Sequence, residues 1–396
     1  MLSARLARVA ESATLAIGTR AKEMLREGRN VVNLSGGEPD FDTPSFIKEA
    51  AIQALRDGFT KYTPVAGIPE LIQAIRDKFK RDNSLSYSSS SVMVSCGAKE
   101  ALYNAFQAIC NPGDEVVILS PYWVSYPEQV KLAGGIPVFV YLDFRGGLKL
   151  EKDELRQVIS PRTKAIIINT PHNPTGGTFS LEELEEIAEL AVTQDFLVIA
   201  DEIYEKLIYE GTHVSIASLG NEIGKRTITI NGVSKTYSMT GWRIGYAGGP
   251  EEIIEGMKKI QSQSTSCANS IAQRGALEAL LGPQDDVEKA RGEFQKRCQV
   301  MLDRVSQIKG VTCPKPQGAF YLFPDVSCFL GTHDGDWIIR NSVYIAKYLI
   351  EKSEVATVPG SAFGADSHLR LSYAVSLDEI HEGVDRIKEA LGNLQG

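Results

Sequence analysis

The pattern of hydrophobic and polar residues divides the chain into alternating strands and helices. Nearly continuous apolar runs, typical of buried strands, occupy residues 92–95, 115–119, 164–169, 196–200 and 227–230. Helical spacing lies between them, as at 45–57, at 68–81 and after Ser180, where Glu183 completes a capping box. The alternation from about 40 to 280 predicts an α/β fold with a mainly parallel central sheet.

The two ends of the chain have a different pattern. Residues 1–30 carry amphipathic helical spacing that ends at Gly28, and we expect the N-terminal segment to form the first helix or an arm of the mature protein. Residues 251–281 and 283–308 read as two helices separated at Gly282-Pro283, followed by short strands at 317–323 and 368–373. We therefore predict a large domain of residues 40–285 and a smaller α+β domain built from 1–39 and 286–396.

Composition narrows the class of protein. The 396 residues carry a net charge of −8, which argues against a nucleic-acid or anionic-membrane surface, so neither partner is expected. No apolar run approaches the ~20 residues of a membrane span. The six cysteines are at least fourteen residues apart, without a Cys-x-x-Cys motif or a Cys/His cluster. We expect no metal site, and reduced thiols in a cytoplasmic protein.

The stretch with the strongest chemical signal is 231–245, NGVSKTYSMTGWRIG. It places Lys235 directly after Ser234, and Arg243 lies eight positions beyond the lysine. A lysine near another cation, or in a dry pocket, has a lowered pKa and forms Schiff bases, while serine and arginine suit a phosphate. Together they suggest pyridoxal 5′-phosphate (PLP). The alternative is a surface lysine in a glycine-rich loop.

This stretch resembles the lysine signature of the class I PLP-dependent aminotransferases. Further matches extend from about Ser12 to Tyr373, and the likeness is strongest to the branch of bacterial aspartate and aspartate/prephenate enzymes. The resemblance implies fold type I, a homodimer with shared active sites, and amino-acid and 2-oxo-acid substrates.

The strand at 92–95 runs through a glycine turn into a helix, and such a helix N-terminus is a ready anion site. Phosphate binding is therefore expected at Gly97, Ala98 and Lys99, although no Gly-x-Gly-x-x-Gly or complete Walker A motif occurs. The resemblance adds Trp123, stacked on the pyridine ring, and Tyr62, which would reach the phosphate of the partner subunit's cofactor.

Asp201 follows the strand at 196–200, where a buried carboxylate is costly unless it is paired. A protonated pyridine nitrogen is such a partner; a helix N-cap is the alternative. The resemblance implies that Tyr204 and Asn173 hold the cofactor's phenolate oxygen. His172 stands where the family usually has asparagine; we expect an exposed side chain and assign it no role.

Arg370 lies between two leucines, where either a substrate carboxylate or an internal salt bridge could hold its guanidinium. The resemblance favours the substrate's α-carboxylate, with the Gly37 backbone, Trp123 and Asn173 also contacting substrate. Lys99 and Thr14 are candidates for the distal carboxylate of a dicarboxylic substrate, although Lys99 could instead serve only the phosphate or helix capping.

The resulting expectation is a ping-pong aminotransferase that moves the amino group of L-aspartate to 2-oxoglutarate. Lys235 would be the Schiff-base lysine and proton shuttle, with Asp201 and Tyr204 completing the catalytic set. An aspartate/glutamate-prephenate or aromatic aminotransferase is the first alternative. A PLP-dependent lyase on the same fold and a non-enzymatic binding protein are the others.

Overall fold

The computed structural model describes residues 3–10 and 13–395. The helices are α1 (Ala13–Arg26), α2 (Ser45–Arg56), α3 (Pro69–Asn83), α4 (Ala98–Ile109), α5 (Ser125–Leu132), α6 (Lys152–Val158), α7 (Leu181–Thr193), α8 (Asn221–Gly224), α9 (Glu251–Ser264), α10 (Ser270–Leu281), α11 (Asp285–Val305), α12 (Ser342–Ser353) and α13 (Leu377–Gly392). The strands are β1 (Val32–Asn33), β2 (Val92–Ser95), β3 (Glu115–Ser120), β4 (Ile136–Tyr141), β5 (Thr163–Asn169), β6 (Leu197–Asp201), β7 (Thr227–Gly232), β8 (Gly245–Gly248), β9 (Tyr321–Leu322), β10 (His333–Asp334), β11 (Trp337–Ile338), β12 (Val355–Ala356), β13 (Val358–Pro359) and β14 (Leu369–Ser372).

A seven-stranded sheet in the order β2-β8-β7-β6-β5-β3-β4 forms the centre of the molecule. Its strands are parallel except β8, which runs antiparallel to both of its neighbours. The α/β fold with a mainly parallel sheet is therefore confirmed. In the register of β5 and β6, Asn169 lies opposite Asp201, so polar side chains from successive strands meet at the carboxyl edge of the sheet.

The strands are apolar because helices cover both faces of the sheet. Val116 and Ile118 of β3 pack in one core with residues of α4 and α9. Val117 and Leu119 of the same strand pack in a second core with residues of α7. Since successive strand residues point to opposite faces, burial on both faces requires the continuous apolar run seen in the sequence.

A smaller antiparallel sheet, in the order β13-β14-β9, packs with α11, α12 and α13 around a separate core. Strand β1, from the N-terminal part of the chain, pairs in parallel with β12, near the C-terminal part. Both ends of the chain thus contribute to this region. The domain boundaries at residues 40 and 286 stay a prediction.

The N-terminal segment, expected to be the first helix or an arm, contains a short 3₁₀ turn at Ala4–Arg8 and then α1. One sequence expectation about helices is wrong. The helix expected at 251–281 is interrupted between α9 and α10, where Ser266 has φ +63° and Asn269 caps α10 by accepting a hydrogen bond from the Ala272 amide. Among the described residues, we find no helix that combines the length and apolarity needed to cross a bilayer.

Candidate active site

Lys235 lies in the turn that follows β7, with charged groups of both signs around it. Burial lowers its pKa to about 8; the Glu38 carboxylate opposes this shift, and the Arg370 and Arg243 charges reinforce it. Asp201 is also near enough to raise the pKa slightly. A lysine with such a pKa has a sizeable fraction of free amine near neutral pH, as a carbonyl-binding lysine requires. The surface-lysine alternative is therefore not supported.

Asp201 ends β6 with its side chain buried, 4% exposed. Burial raises its pKa to about 6, while a 2.7 Å hydrogen bond from the Tyr126 hydroxyl to Oδ2 and one from the Ile203 amide favour the ionised form. No helix begins at Asp201, so the N-cap alternative is wrong. Among the described residues no cation hydrogen-bonds to this buried carboxylate, which is therefore suited to a protonated pyridine nitrogen.

The turn between β2 and α4 comes close to the segment after Lys235. Gly97 has φ +91°, and a Cβ there would collide with the Arg243 guanidinium. A Cβ at Gly245 would collide with the backbone at Gly97–Ala98. The close approach of these two segments therefore requires glycine at both positions. Arg243 Nη1 donates to the Thr240 carbonyl oxygen at 3.0 Å. A helix N-terminus and an arginine thus converge as a phosphate site requires.

Trp123 and Lys99 lie beside this anion site. Lys99 Nζ lies 4.8 Å from the centroid of the Trp123 ring, and the Trp123 ring meets Tyr126 edge-on at 5.3 Å between centroids. Burial, together with the charge of Arg243, lowers the pKa of Lys99. Within the described chain, no carboxylate lies within salt-bridge distance of Lys99. The ammonium is therefore available to an external anion.

Arg370, on β14, is buried with 3% of its surface exposed. Nη1 donates to Asn173 Oδ1 at 3.0 Å and Nη2 to the Ser35 carbonyl oxygen at 2.9 Å, while Nε has no partner among the described residues. No carboxylate of the described chain pairs with it, so the internal salt-bridge alternative is wrong. Gly37 also belongs to this part of the site, because its carbonyl oxygen accepts a 2.5 Å hydrogen bond from Nζ of Lys235.

Asn173 and Tyr204 complete the carboxyl edge. The Asn173 amide donates to Asn169 Oδ1 at 2.8 Å, and Asn169 Nδ2 donates to the Asp201 carbonyl oxygen at 2.9 Å. The Tyr204 hydroxyl lies 2.8 Å from the hydroxyl of Tyr321. The loop after β5 is thereby tied to the end of β6, which fixes the relative positions of these predicted residues.

The remaining predicted site residues are Tyr62, Thr14 and Ser234. Tyr62 is 91% exposed, so its ring is not packed into the site of its own chain. Thr14 belongs to α1, but its side chain lies outside the described part of the structure. Ser234 is buried beside Lys235 in the chain, and its side chain has no hydrogen bond to another described residue.

The expectation for His172 is wrong, because its side chain is buried with 3% exposed. Burial lowers its pKa to about 3, which keeps the imidazole neutral, and Nδ1 lies 2.8 Å from the Thr175 hydroxyl. The imidazole therefore contributes to packing and loop structure rather than remaining on the surface.

Sequence reasoning missed Tyr126, Asn169 and Tyr321. Tyr126 lies shortly after the end of β3, and Asn169 is the last residue of β5. A search for polar residues at strand ends could therefore have found both. Tyr321 gave no such signal, since it reaches the site from the smaller sheet.

The residues present fit PLP: an amine with a pKa of about 8, a buried carboxylate, a glycine-lined helix N-terminus beside an arginine, and an indole. This fold and site define a PLP-dependent enzyme of the α/β class. The family model described as aminotransferase class I and II matches residues 29–387, and the chain belongs to that family. It is therefore a PLP-dependent aminotransferase.

Individual relatives are similar over nearly the whole chain. An aspartate aminotransferase from Geobacillus stearothermophilus is 50% identical over 390 residues, covering 98% of each chain. A probable aspartate/prephenate aminotransferase from Aquifex aeolicus is 47% identical, again with 98% of each chain covered. The solved aspartate aminotransferase of Rhizobium meliloti superposes with a TM-score of 0.95 at 42% identity, covering 100% of both chains. That of Thermus thermophilus with maleate gives 0.93 at 44% identity, over 98% of this chain and 99% of the other.

Proposed function

We propose that this aminotransferase moves the amino group of L-aspartate to 2-oxoglutarate. The observation that carries the proposal is Arg370: a buried guanidinium without a carboxylate partner, close enough to Lys235 for its charge to lower that lysine's pKa. An unpaired buried cation is costly in the free protein and is compensated when an anion arrives. The α-carboxylate of an amino acid bound to Arg370 would bring the substrate's amino group towards Lys235.

PLP, when bound, supplies an electron sink that stabilises negative charge at the substrate's Cα. Lys235 would hold PLP in the resting enzyme. Nζ of Lys235 would take the proton from the substrate's Cα and later return one, acting first as base and then as acid. Asp201 would keep the pyridine nitrogen protonated, and Tyr204 and Asn173 would hold the phenolate oxygen.

The remaining site residues divide between phosphate and substrate. Gly97, Ala98, Ser234 and Arg243 would hold the phosphate, and Trp123 would stack on the ring. The Gly37 backbone would contact the substrate, and its carbonyl oxygen accepts a hydrogen bond from Nζ of Lys235 in the free protein.

Lys99, with Thr14, would bind the distal carboxylate of a dicarboxylic substrate. The position of Lys99 favours this assignment, because its ammonium lies over the Trp123 ring and lacks a carboxylate partner in the described chain. Lys99 also lines a cavity of about 1340 Å³ together with Arg243.

A homodimer is part of the proposal. Tyr62 is 91% exposed in the single chain, an unusual position for an aromatic ring, and in a dimer it would reach the partner's phosphate site. Light scattering of the purified protein measures the assembly directly. Tyr62→Phe should weaken PLP binding without changing the mass of the dimer.

The experiment that tests the reaction is an absorption titration of the PLP-loaded protein. L-Aspartate alone should remove the visible absorption of lysine-bound PLP, and 2-oxoglutarate should restore it. Loss of absorption with an aromatic or neutral amino acid, but not with aspartate, would keep an aminotransferase and reject the substrate. Release of product without reversal would indicate a lyase.

Prephenate is the second candidate acceptor, because relatives at 45–47% identity are named aspartate/prephenate aminotransferases. The same titration tests this candidate: after L-aspartate has removed the visible absorption, added prephenate should restore it. We also place the enzyme in the cytoplasm, where its six free cysteines would stay reduced.

A further inference from the structure

Tyr321 reaches the site from the smaller sheet and touches two groups with separate tasks. It lies on β9, fully buried, and its backbone pairs with Ser372 of β14. Its hydroxyl lies 2.8 Å from the hydroxyl of Tyr204, and its ring lies under the guanidinium of Arg370, with Cζ 4.4 Å from the ring centroid. One side chain thus connects the proposed carboxylate site to the proposed phenolate-oxygen site.

The chemistry of phenols gives this connection a direction. In the pair formed by Tyr204 and Tyr321, either oxygen can be the donor. Each hydroxyl has one hydrogen, so an acceptor in front of Tyr204 takes that hydrogen and leaves Tyr321 as the donor to Tyr204. A chain of two hydroxyls is then oriented towards the acceptor, and each donor strengthens the next.

Arg370 acts on the far end of this chain. A cation close to a phenol favours its ionised form and makes the hydroxyl a stronger donor. Burial raises the pKa of Tyr321, and the charge of Arg370 works against that rise. When a carboxylate binds to Arg370 and compensates its charge, Tyr321 becomes a weaker donor, and so does Tyr204.

We propose that Tyr321 is a positioning residue that couples occupation of the carboxylate site at Arg370 to the hydrogen-bonding strength of Tyr204. The inference rests on the proposed function, in which Tyr204 faces the phenolate oxygen. With PLP held by Lys235, a weaker hydrogen bond from Tyr204 would favour the protonated form of the lysine nitrogen. Occupation of the carboxylate site would thereby raise the pH at which the visible absorption titrates.

The experiment is a pH titration of the visible absorption of the PLP-loaded protein, with and without maleate, a dicarboxylate without an amino group. Tyr321→Phe keeps the ring over which Arg370 lies and removes only the hydroxyl. We expect the midpoint without maleate to rise by about half to one pH unit, the equivalent of one hydrogen bond. The further rise caused by maleate should be smaller than in the unmodified protein.

Tyr373→Phe is the matched control. Tyr373 is also fully buried, and its hydroxyl interacts with Tyr209 and the Ala319 carbonyl oxygen, both at 3.3 Å, rather than with Tyr204. It should leave both midpoints unchanged. If Tyr321→Phe matches this control while Tyr204→Phe raises the midpoint, the coupling is rejected and the proposed function stands. If Tyr204→Phe also has no effect, the role of Tyr204 in the proposed function fails first.

A double-mutant cycle separates coupling from a general loosening of the site. In the Tyr204→Phe background, Tyr321→Phe should cause no further shift, because the hydroxyl through which it acts is gone. An equal shift in both backgrounds means that the two tyrosines act independently, which overturns the proposal.

Discussion

The hydroxyl of Tyr126 donates a 2.7 Å hydrogen bond to Oδ2 of Asp201, and both side chains are buried. Tyr126 follows Trp123 by three residues, so the ring proposed to stack on the cofactor and the donor to its carboxylate come from the same short segment after β3. Burial raises the pKa of Asp201 to about 6, and the bond from Tyr126 limits this rise.

Tyr126→Phe should therefore raise the pKa of Asp201 further. Ionised Asp201 is the form that pairs with a protonated pyridine nitrogen. As the pH is lowered, the variant should therefore begin to lose PLP affinity at a higher pH than the unmodified protein does. PLP affinity of the apoenzyme, measured from pH 5 to 8 by fluorescence quenching, checks this shift. Tyr87→Phe, which removes a buried hydroxyl bonded to Thr229 at 3.2 Å, should leave the profile unchanged; matching profiles for the two variants contradict the prediction.

Lys235 should capture PLP with a pH dependence that reflects its own ionisation. Its pKa is lowered to about 8, mainly by burial, and only the free amine attacks the aldehyde. The rate of recovery of visible absorption, after mixing apoenzyme with PLP, should rise as the pH increases through about 8.

Glu38 provides the complementary variant. Its charge raises the pKa of Lys235, and its carboxylate accepts a 2.7 Å hydrogen bond from Thr240. Glu38→Gln should move the midpoint for PLP capture below that of the unmodified enzyme. An unchanged or higher midpoint shows that Glu38 does not act on the lysine through its charge.

Lys99→Ala should change substrate preference. Loss of a charge-assisted contact to the distal carboxylate should raise KM for L-aspartate by roughly 10- to 100-fold, while KM for phenylalanine changes little. Steady-state kinetics with both substrates measure the difference. The control Lys258→Ala removes an ammonium that donates to the Ser90 carbonyl oxygen, outside the site. Equal losses for both substrates, with weaker PLP binding, would instead assign Lys99 to the phosphate.

Lys78→Met should destabilise the fold. The Lys78 ammonium is buried against the Glu205 carboxylate and donates to Asn83 Oδ1 at 2.7 Å, in a cluster that also includes Glu202 and His213. Removing the cation leaves a buried carboxylate unpaired, which lowers the free energy of unfolding by about 3–5 kcal/mol. Urea unfolding at pH 7 measures the loss. Lys225→Met, which removes an exposed ion pair with Glu222, should not move the urea midpoint.

The same ion pair has a predictable pH dependence. Burial by itself would raise the pKa of Glu205, but the Lys78 ammonium and His213 outweigh it, and the pKa lies below its usual value. A carboxyl whose folded-state pKa is depressed contributes stability above its unfolded pKa and loses it as the pH falls. In Lys78→Met the pKa of Glu205 should instead be raised by burial, so the stability difference between the two proteins should shrink steadily as the pH falls from neutral towards acid. A difference that grows towards acid pH is incompatible with this ion pair.

Local sequence patterns were sufficient to predict most of the helices and strands and much of the local chemistry. Burial on both faces makes the strands apolar, so β3, β5 and β6 are visible as continuous runs, and parallel strands place Asp201 and Asn173 at one edge. Ser180 and Glu183 form the predicted capping box because that motif needs only neighbouring residues. By contrast, the break between α9 and α10 escaped prediction, since a left-handed Ser266 carries no strong sequence signal.

Contacts between site residues that are distant in the chain became visible only in the packed fold. Tyr321 contacts Tyr204 across 117 residues, and Arg370 donates to Asn173 across 197. Burial, which governs the pKa values of Lys235 and Asp201 and keeps His172 neutral, depends on everything packed around a side chain. Local patterns determine which elements form, because their hydrogen bonds and periodicity are short-range. Distances and desolvation at the site depend on how those elements pack, and no local pattern contains that information.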